Sequence, residues 1–118
     1  MSKSDRDQLG KGAMTKQEAE EKYEAKAEKE IQNDIVAYLG QREIFVVRSR
    51  FGRRTTTNCG TPDLLFAYKE IPFAWELKAT EGALQPEQER ASIMMLRNGW
   101  RWSIVRSVQQ AKEILDSI

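Results

Sequence analysis

Two short apolar segments joined by a charged pair constrain the fold most. The segments are Leu64–Tyr68 and Phe73–Leu77, and the chain between them turns around Lys69 and Glu70. Aromatic and branched residues in runs of this length are typical of β-strands, and strands joined by so short a connection pair antiparallel. A two-residue turn at Lys69 and Glu70 fixes the register of this hairpin residue by residue, whereas a longer turn would shift it.

A long helix is predicted before this hairpin. Thr15 is suited to its N-cap position, and Glu18, three residues later, completes a capping box. Gly40 is suited to the C-cap position, so that the helix would end at Leu39. The second half of the segment carries apolar residues at the spacing of a helix that packs on a sheet, namely Ile31, Ile35, Tyr38 and Leu39.

The remaining elements follow from apolar runs and capping residues. They are a strand at Ile44–Val47, a helix at Pro86–Arg97, a strand at Trp100–Val105 and a helix at Val108–Ile118. The order helix, three strands, helix, strand, helix predicts an α/β (α+β) fold with about four strands in the sheet. Residues 1–14 are polar without periodicity and predict a flexible leader, which leaves residues 15–118 as a single domain.

Composition excludes several classes of function. The 118 residues carry 19 Lys+Arg against 18 Asp+Glu, so a uniformly basic nucleic-acid binder is excluded and phosphate binding would need a local patch. The absence of histidine removes Ser-His-Asp triads and zinc sites that need imidazole. No apolar run approaches the roughly 20 residues of a bilayer span. A single cysteine, Cys59, fits a reducing compartment, and we expect a cytoplasmic protein.

Acidic and basic side chains meet on one face of the hairpin. Alternate residues of a strand share a face, so Glu76 and Lys78 lie with Ala74, opposite the core-facing Trp75. In the two-residue-turn register Asp63 falls directly across from Glu76, with Cβ atoms about 4.5–5.5 Å apart. Two carboxylates at that distance can share one hard cation, Mg²⁺ or Mn²⁺, and the Lys78 side chain can orient or activate a water. The pattern predicts a nuclease site, although a solvated ion pair is the simpler alternative.

A basic patch precedes this site along the chain. It consists of four arginines within seven residues, Arg48, Arg50, Arg53 and Arg54, followed by a threonine-rich stretch. Arginine is suited to bidentate phosphate contacts, and hydroxyl groups add further donors. We therefore predict that the patch binds DNA, the alternative being a solvated loop.

These motifs resemble those of the PD-(D/E)xK nuclease superfamily, and most closely its VRR-NUC (virus-type replication-repair nuclease) family. The signature is present as Pro62-Asp63 and Glu76-Leu77-Lys78, with Gly60 two residues before the proline and Gln88 in a Leu-x-x-x-Gln segment. The resemblance covers about residues 28–118 and implies a restriction-endonuclease-like core with a mixed sheet flanked by helices.

The resemblance also implies functional roles. A glutamate on the first helix would join the metal site, and its position before an Ile-Gln pair selects Glu28, with Glu30 as the alternative. The backbone carbonyl of Leu77 would be a further metal ligand, and Gln88 would brace Lys78 or a phosphate. The family implies a metal-dependent endonuclease that acts as a homodimer on branched DNA such as four-way (Holliday) junctions. The alternative is a non-catalytic DNA-binding or repair-scaffold domain with the same fold.

Overall fold

The computed structural model describes residues 15–49 and 60–118, and within them the predicted order of elements is confirmed. The helices are α1 (Lys16–Gln41), α2 (Pro86–Arg97) and α3 (Val108–Asp116), and the strands are β1 (Val46–Arg48), β2 (Leu64–Tyr68), β3 (Ile71–Leu77) and β4 (Arg101–Val105). The predicted leader, residues 1–14, and the patch residues Arg50, Arg53 and Arg54 lie outside the described residues.

The sheet is mixed, with strand order β1-β2-β3-β4. The first three strands pair antiparallel, and β4 pairs parallel to β3 after the crossover through α2. The hairpin register runs from Tyr68 opposite Ile71 to Leu64 opposite Trp75, as the two-residue turn predicts. Both turn residues adopt positive φ, as the two central residues of a type I′ turn do, and this turn matches the twist of the flanking strands.

Helix α1 begins as predicted but ends differently. The Thr15 hydroxyl accepts a hydrogen bond from the Glu18 N–H at 3.0 Å, which satisfies one N–H of the first turn. The predicted C-cap at Gly40 is wrong, because the helix continues to Gln41 and the left-handed residue is Glu43, with φ of 59°. Arg42 holds this end through hydrogen bonds to the hydroxyls of Tyr38 and Tyr68, both at 2.7 Å.

Strand β1 lies later than predicted. The Ile44 N–H donates to the Leu39 carbonyl at 3.0 Å, so Ile44 belongs to the turn after α1 and is buried there. The strand consequently covers Val46–Arg48 and pairs with Leu64–Phe66. The other predicted elements agree with the structure to within two residues at each end.

The main core lies between one sheet face and helices α1 and α3. Phe66, Phe73 and Trp75 form an aromatic cluster on that face, with Phe66 stacked on Phe73 at 5.1 Å and edge-on to Trp75 at 4.7 Å. Ile35 from α1 and Leu115 from α3 complete the same buried cluster. Strand β3 is buried on its other face too, which places Glu76 inside the protein. In the described residues, no helix is long and apolar enough to cross a membrane.

Candidate active site

Two carboxyl groups meet where β2 begins and β3 ends. Asp63 immediately precedes β2, and its Oδ2 accepts a hydrogen bond from the Leu77 N–H at 2.8 Å. The negative charge of Asp63 also acts on the neighbouring Glu76 carboxyl and raises its pKa. The predicted juxtaposition of the two acids is therefore present.

A close approach of the chain to α2 positions Asp63. Gly60 has φ of 87°, and a Cβ atom there would collide with the backbone carbonyl of Glu87 in the first turn of α2. Pro62 is buried between Gly60 and Asp63. The Gly-x-Pro-Asp motif thus docks the chain on α2 before β2 begins, because only glycine combines this φ with so close a contact.

Glu76 occupies the most restricted position in the site. Its side chain is almost fully buried; Oε1 accepts a hydrogen bond from Gln88 Nε2 at 2.7 Å. Its other oxygen, Oε2, is buried with no hydrogen-bond partner among the described residues. Burial, and then the negative charge of Asp63, raise the pKa of the Glu76 carboxyl to about 8. Burial also raises the pKa of Asp63, although the Leu77 N–H opposes this shift.

Lys78 and Glu28 border the same carboxyl groups. Lys78 is buried, with its Nζ 3.9 Å from Glu76 Oε1, and its charge opposes the rise in the Glu76 pKa. The negative charge of Glu28 contributes to that rise. A Cβ atom on Gly82 would lie 3.3 Å from Glu28 Oε1 and 3.2 Å from Lys78 Cβ. The structure thus brings Glu28 to the site, while Glu30, the alternative on the same helix, is exposed.

Gln88 contacts Glu76, to which its Nε2 donates a hydrogen bond. A phosphate contact of Gln88 stays a prediction, and no hydrogen bond between its side chain and Lys78 is present among the described residues. Gln88 Oε1 accepts from the Gln85 N–H at 2.9 Å as part of a capping box that starts α2. Because the cap fixes the amide, Gln88 presents its N–H group to the Glu76 carboxylate in a single orientation.

The donor atoms suit a hard divalent cation. The buried Oε2 of Glu76 is an acceptor without a donor, and a cation would satisfy it while offsetting the repulsion between Asp63 and Glu76. Within residues 15–49 and 60–118, no three acidic or cysteine side chains form a group able to hold a metal ion. A two-carboxylate site fits Mg²⁺, which keeps several waters as ligands. Roles for Glu28 and the Leu77 carbonyl as ligands stay predictions.

Arg48 begins the predicted basic patch and lies beside the site. The Ser49 N–H donates to the Asp63 carbonyl at 2.9 Å, which joins the end of β1 to the start of β2. Arg48 Nη2 donates to Gln32 Oε1 at 3.3 Å and to Asn33 Oδ1 at 3.2 Å. Both acceptors are neutral amides, so these contacts orient the guanidinium without neutralising its charge.

Two residues near the candidate active site were given no role from the sequence. Gln32 is fully buried on α1, and the signal for it was a polar residue on the apolar face of the helix. Gly82 lies where the loop after β3 reaches Glu28 and Lys78, which no local pattern indicates.

Solved structures with the same architecture identify the fold. One, a "VRR_NUC domain", matches with a TM-score of 0.62 and 20% identity, over 76% of this chain and 95% of that chain. Another, a "VRR_NUC domain protein", matches with a TM-score of 0.58 and 16% identity, over 75% of this chain and 84% of that chain. No family model and no curated protein matches the sequence. The chain therefore has the fold of VRR_NUC domains, in agreement with the family that its motifs resemble.

Proposed function

We propose that this chain is a divalent-metal-dependent DNA endonuclease that hydrolyses phosphodiester bonds. The observation that carries the proposal is the half-buried Asp63 next to the buried Glu76, beside the buried ammonium of Lys78. A pair of like-charged carboxyl groups inside a protein destabilises the fold unless a cation or proton compensates it. Such groups concentrate at functional sites. The nuclease fold of the two structural neighbours supports the same reading.

The chemistry follows from the positions of the side chains. Asp63 and Glu76 would hold Mg²⁺ or Mn²⁺, with Glu28 and the Leu77 carbonyl as further ligands. When bound, the ion supplies Lewis-acid polarisation of the scissile phosphate and lowers the pKa of a coordinated water. Lys78 orients the attacking water and stabilises the charge on the phosphoryl oxygens.

Substrate contacts come from the basic patch. Arg48, together with Arg50, Arg53 and Arg54, would bind backbone phosphates beside the site. A DNA-binding module of this size buries roughly 600–1,000 Å². We infer that two copies act together, because a two-fold symmetric dimer would set two sites at a fixed separation on a four-way junction.

One face of the chain is a candidate for this pairing. Exposed apolar side chains lie on α2, at Ile93 and Leu96, just before Trp100. Trp100 and Trp102 are themselves half-buried along the edge strand β4. Apolar surface of this kind is often covered by a partner.

Cleavage of labelled DNA tests the proposal. Four-way junctions, flaps and linear duplexes are incubated with Mg²⁺, Mn²⁺ or chelator. The proteins compared are the wild-type chain, Glu76→Gln and the control Glu70→Gln, which changes an exposed acid in the hairpin turn. We expect metal-dependent cuts that favour junctions, lost in Glu76→Gln and retained in Glu70→Gln. DNA binding without cleavage under every metal condition would instead establish a scaffold domain.

A further inference from the structure

The backbone of the loop that follows Lys78 accepts hydrogen bonds from the side chain that follows strand β4. Arg106 comes directly after β4, and its Nη1 lies 2.5 Å from the Ala79 carbonyl, 3.3 Å from the Thr80 carbonyl and 3.0 Å from the Gly82 carbonyl. Charged donors form the stronger class of hydrogen bond. Three carbonyl oxygens converge on one nitrogen, so this cation fixes the path of the loop.

The position of Arg106 is itself fixed. Its backbone N–H donates to Gln110 Oε1 at 2.8 Å, and Gln110 Nε2 donates to the Ile104 carbonyl at 3.1 Å. The first turn of α3 therefore clamps the end of β4 on both sides of Val105. The Val105 carbonyl accepts from the Lys78 N–H at 3.3 Å, which ties the same strand end to the start of the loop.

The held loop passes close to two groups of the candidate active site. Gly82 approaches Glu28 Oε1 and Lys78 Cβ so closely that a Cβ atom would lie within 3.3 Å of both. The Gly82 N–H also donates to the Ala79 carbonyl at 2.9 Å, which closes the loop on itself. An outward movement of the loop would therefore open space beside both Glu28 and Lys78.

We propose that Arg106 is a positioning residue that holds the loop of residues 79–82 against Glu28 and Lys78 and so sets the geometry of the metal and water site. The inference rests on the proposed nuclease function. Arg106 acts through the loop carbonyls, because its described side-chain contacts are with the backbone of residues 79–82. The removal of residues that orient metal ligands typically lowers metal affinity or activity 10–100-fold.

The test compares Arg106→Gln with Arg106→Lys. Glutamine is uncharged and shorter than arginine, whereas lysine keeps a cationic nitrogen with three N–H groups for the three carbonyls. Arg101→Gln is the control, since Arg101 is exposed at the start of the same strand. The measurements are the amide-exchange rate of Gly82, the Mn²⁺ affinity from electron paramagnetic resonance without DNA, and the single-turnover cleavage rate at saturating DNA.

We expect Arg106→Gln to speed exchange of the Gly82 amide, and to lower Mn²⁺ affinity and the cleavage rate roughly 10–100-fold each. DNA affinity in chelator should be unchanged, Arg106→Lys should recover part of each loss, and Arg101→Gln should keep wild-type exchange and Mn²⁺ affinity. Wild-type exchange and Mn²⁺ affinity in Arg106→Gln would overturn the inference.

Two further outcomes are distinguishable. If the wild-type chain binds Mn²⁺ but cuts no DNA, the nuclease proposal fails, while Gly82 exchange and Mn²⁺ affinity still decide the role of Arg106. If Arg106→Gln does not fold, Gly82→Ala tests the link from the loop, because the added methyl group pushes against Glu28 and Lys78. Normal Mn²⁺ affinity in Gly82→Ala would then overturn the inference, and weakened affinity would support it.

Discussion

Replacing Glu76 with glutamine should stabilise the metal-free protein. Burial and the charge of Asp63 raise the pKa of Glu76 from an ordinary value of 4.5 to about 8. The raised pKa means that the folded state prefers the protonated carboxyl. The stability that this form contributes is fully present below pH 4.5 and is lost as the pH rises through 8.

The size of the effect follows from the shift. One pKa unit corresponds to about 1.4 kcal/mol. At pH 7 the ionisation of Glu76 has therefore lowered the free energy of unfolding of the metal-free protein by about 3 kcal/mol. Glutamine keeps the shape of the side chain, removes the negative charge and can still accept the hydrogen bond from Gln88. We expect Glu76→Gln to recover about 1–3 kcal/mol, which for a domain of this size raises Tm by about 4 °C or more.

Thermal unfolding at pH 7 provides the assay, with chelator in one series and Mg²⁺ in the other. In chelator Glu76→Gln should melt above the wild type, while Glu70→Gln in the exposed turn should lie within about 0.5 kcal/mol of it. Saturating Mg²⁺ should stabilise the wild type by about 2.7 kcal/mol at a hundred times its Kd and leave Glu76→Gln unaffected. A Glu76→Gln variant less stable than the wild type in chelator would refute the argument that ionised Glu76 destabilises the fold.

Three other predictions follow from the same geometry. Mg²⁺ affinity should rise with pH up to about 8, because binding displaces the Glu76 proton, and calorimetry showing equal affinity at pH 6 and pH 8 would contradict this. Arg48→Gln should weaken DNA binding and reduce the log-log salt slope by about 0.9 if the guanidinium contacts one phosphate; an unchanged slope would mean that it makes no such contact. In urea unfolding, Gly60→Ala should lower the free energy of unfolding by about 1–3 kcal/mol more than Gly99→Ala does. Both glycines have positive φ, but only Gly60 abuts the Glu87 carbonyl. Equal losses would show that this contact is unimportant.

Local sequence rules predicted the hairpin and its acids because each depends on neighbours along the chain. A two-residue turn at Lys69 and Glu70 sets the register, and the register alone brings Asp63 to Glu76. The rules were wrong at Gly40, where capping preference favoured a helix end. Arg42 holds the helix end beyond Gly40 through a local hydrogen bond to Tyr38 and a tertiary one to Tyr68, and no local pattern contains the Tyr68 contact.

The electrostatics of the site depend on contacts that sequence spacing does not encode. The amide N–H of Gln88 is directed to Glu76 because the amide oxygen of Gln88 caps α2. A motif that places Gln88 after the lysine does not indicate whether its partner is Glu76, Lys78 or a phosphate. Arg106 reaches the loop after β3 because β4 runs parallel to β3 and ends beside Lys78. A parallel neighbour needs a long crossover, so residues about 25 positions apart in sequence become adjacent at the carboxyl ends of both strands. The juxtaposition of Asp63 and Glu76 could thus be predicted from a hairpin, whereas the contacts of Arg106 with the loop after Lys78 required the crossover to be known.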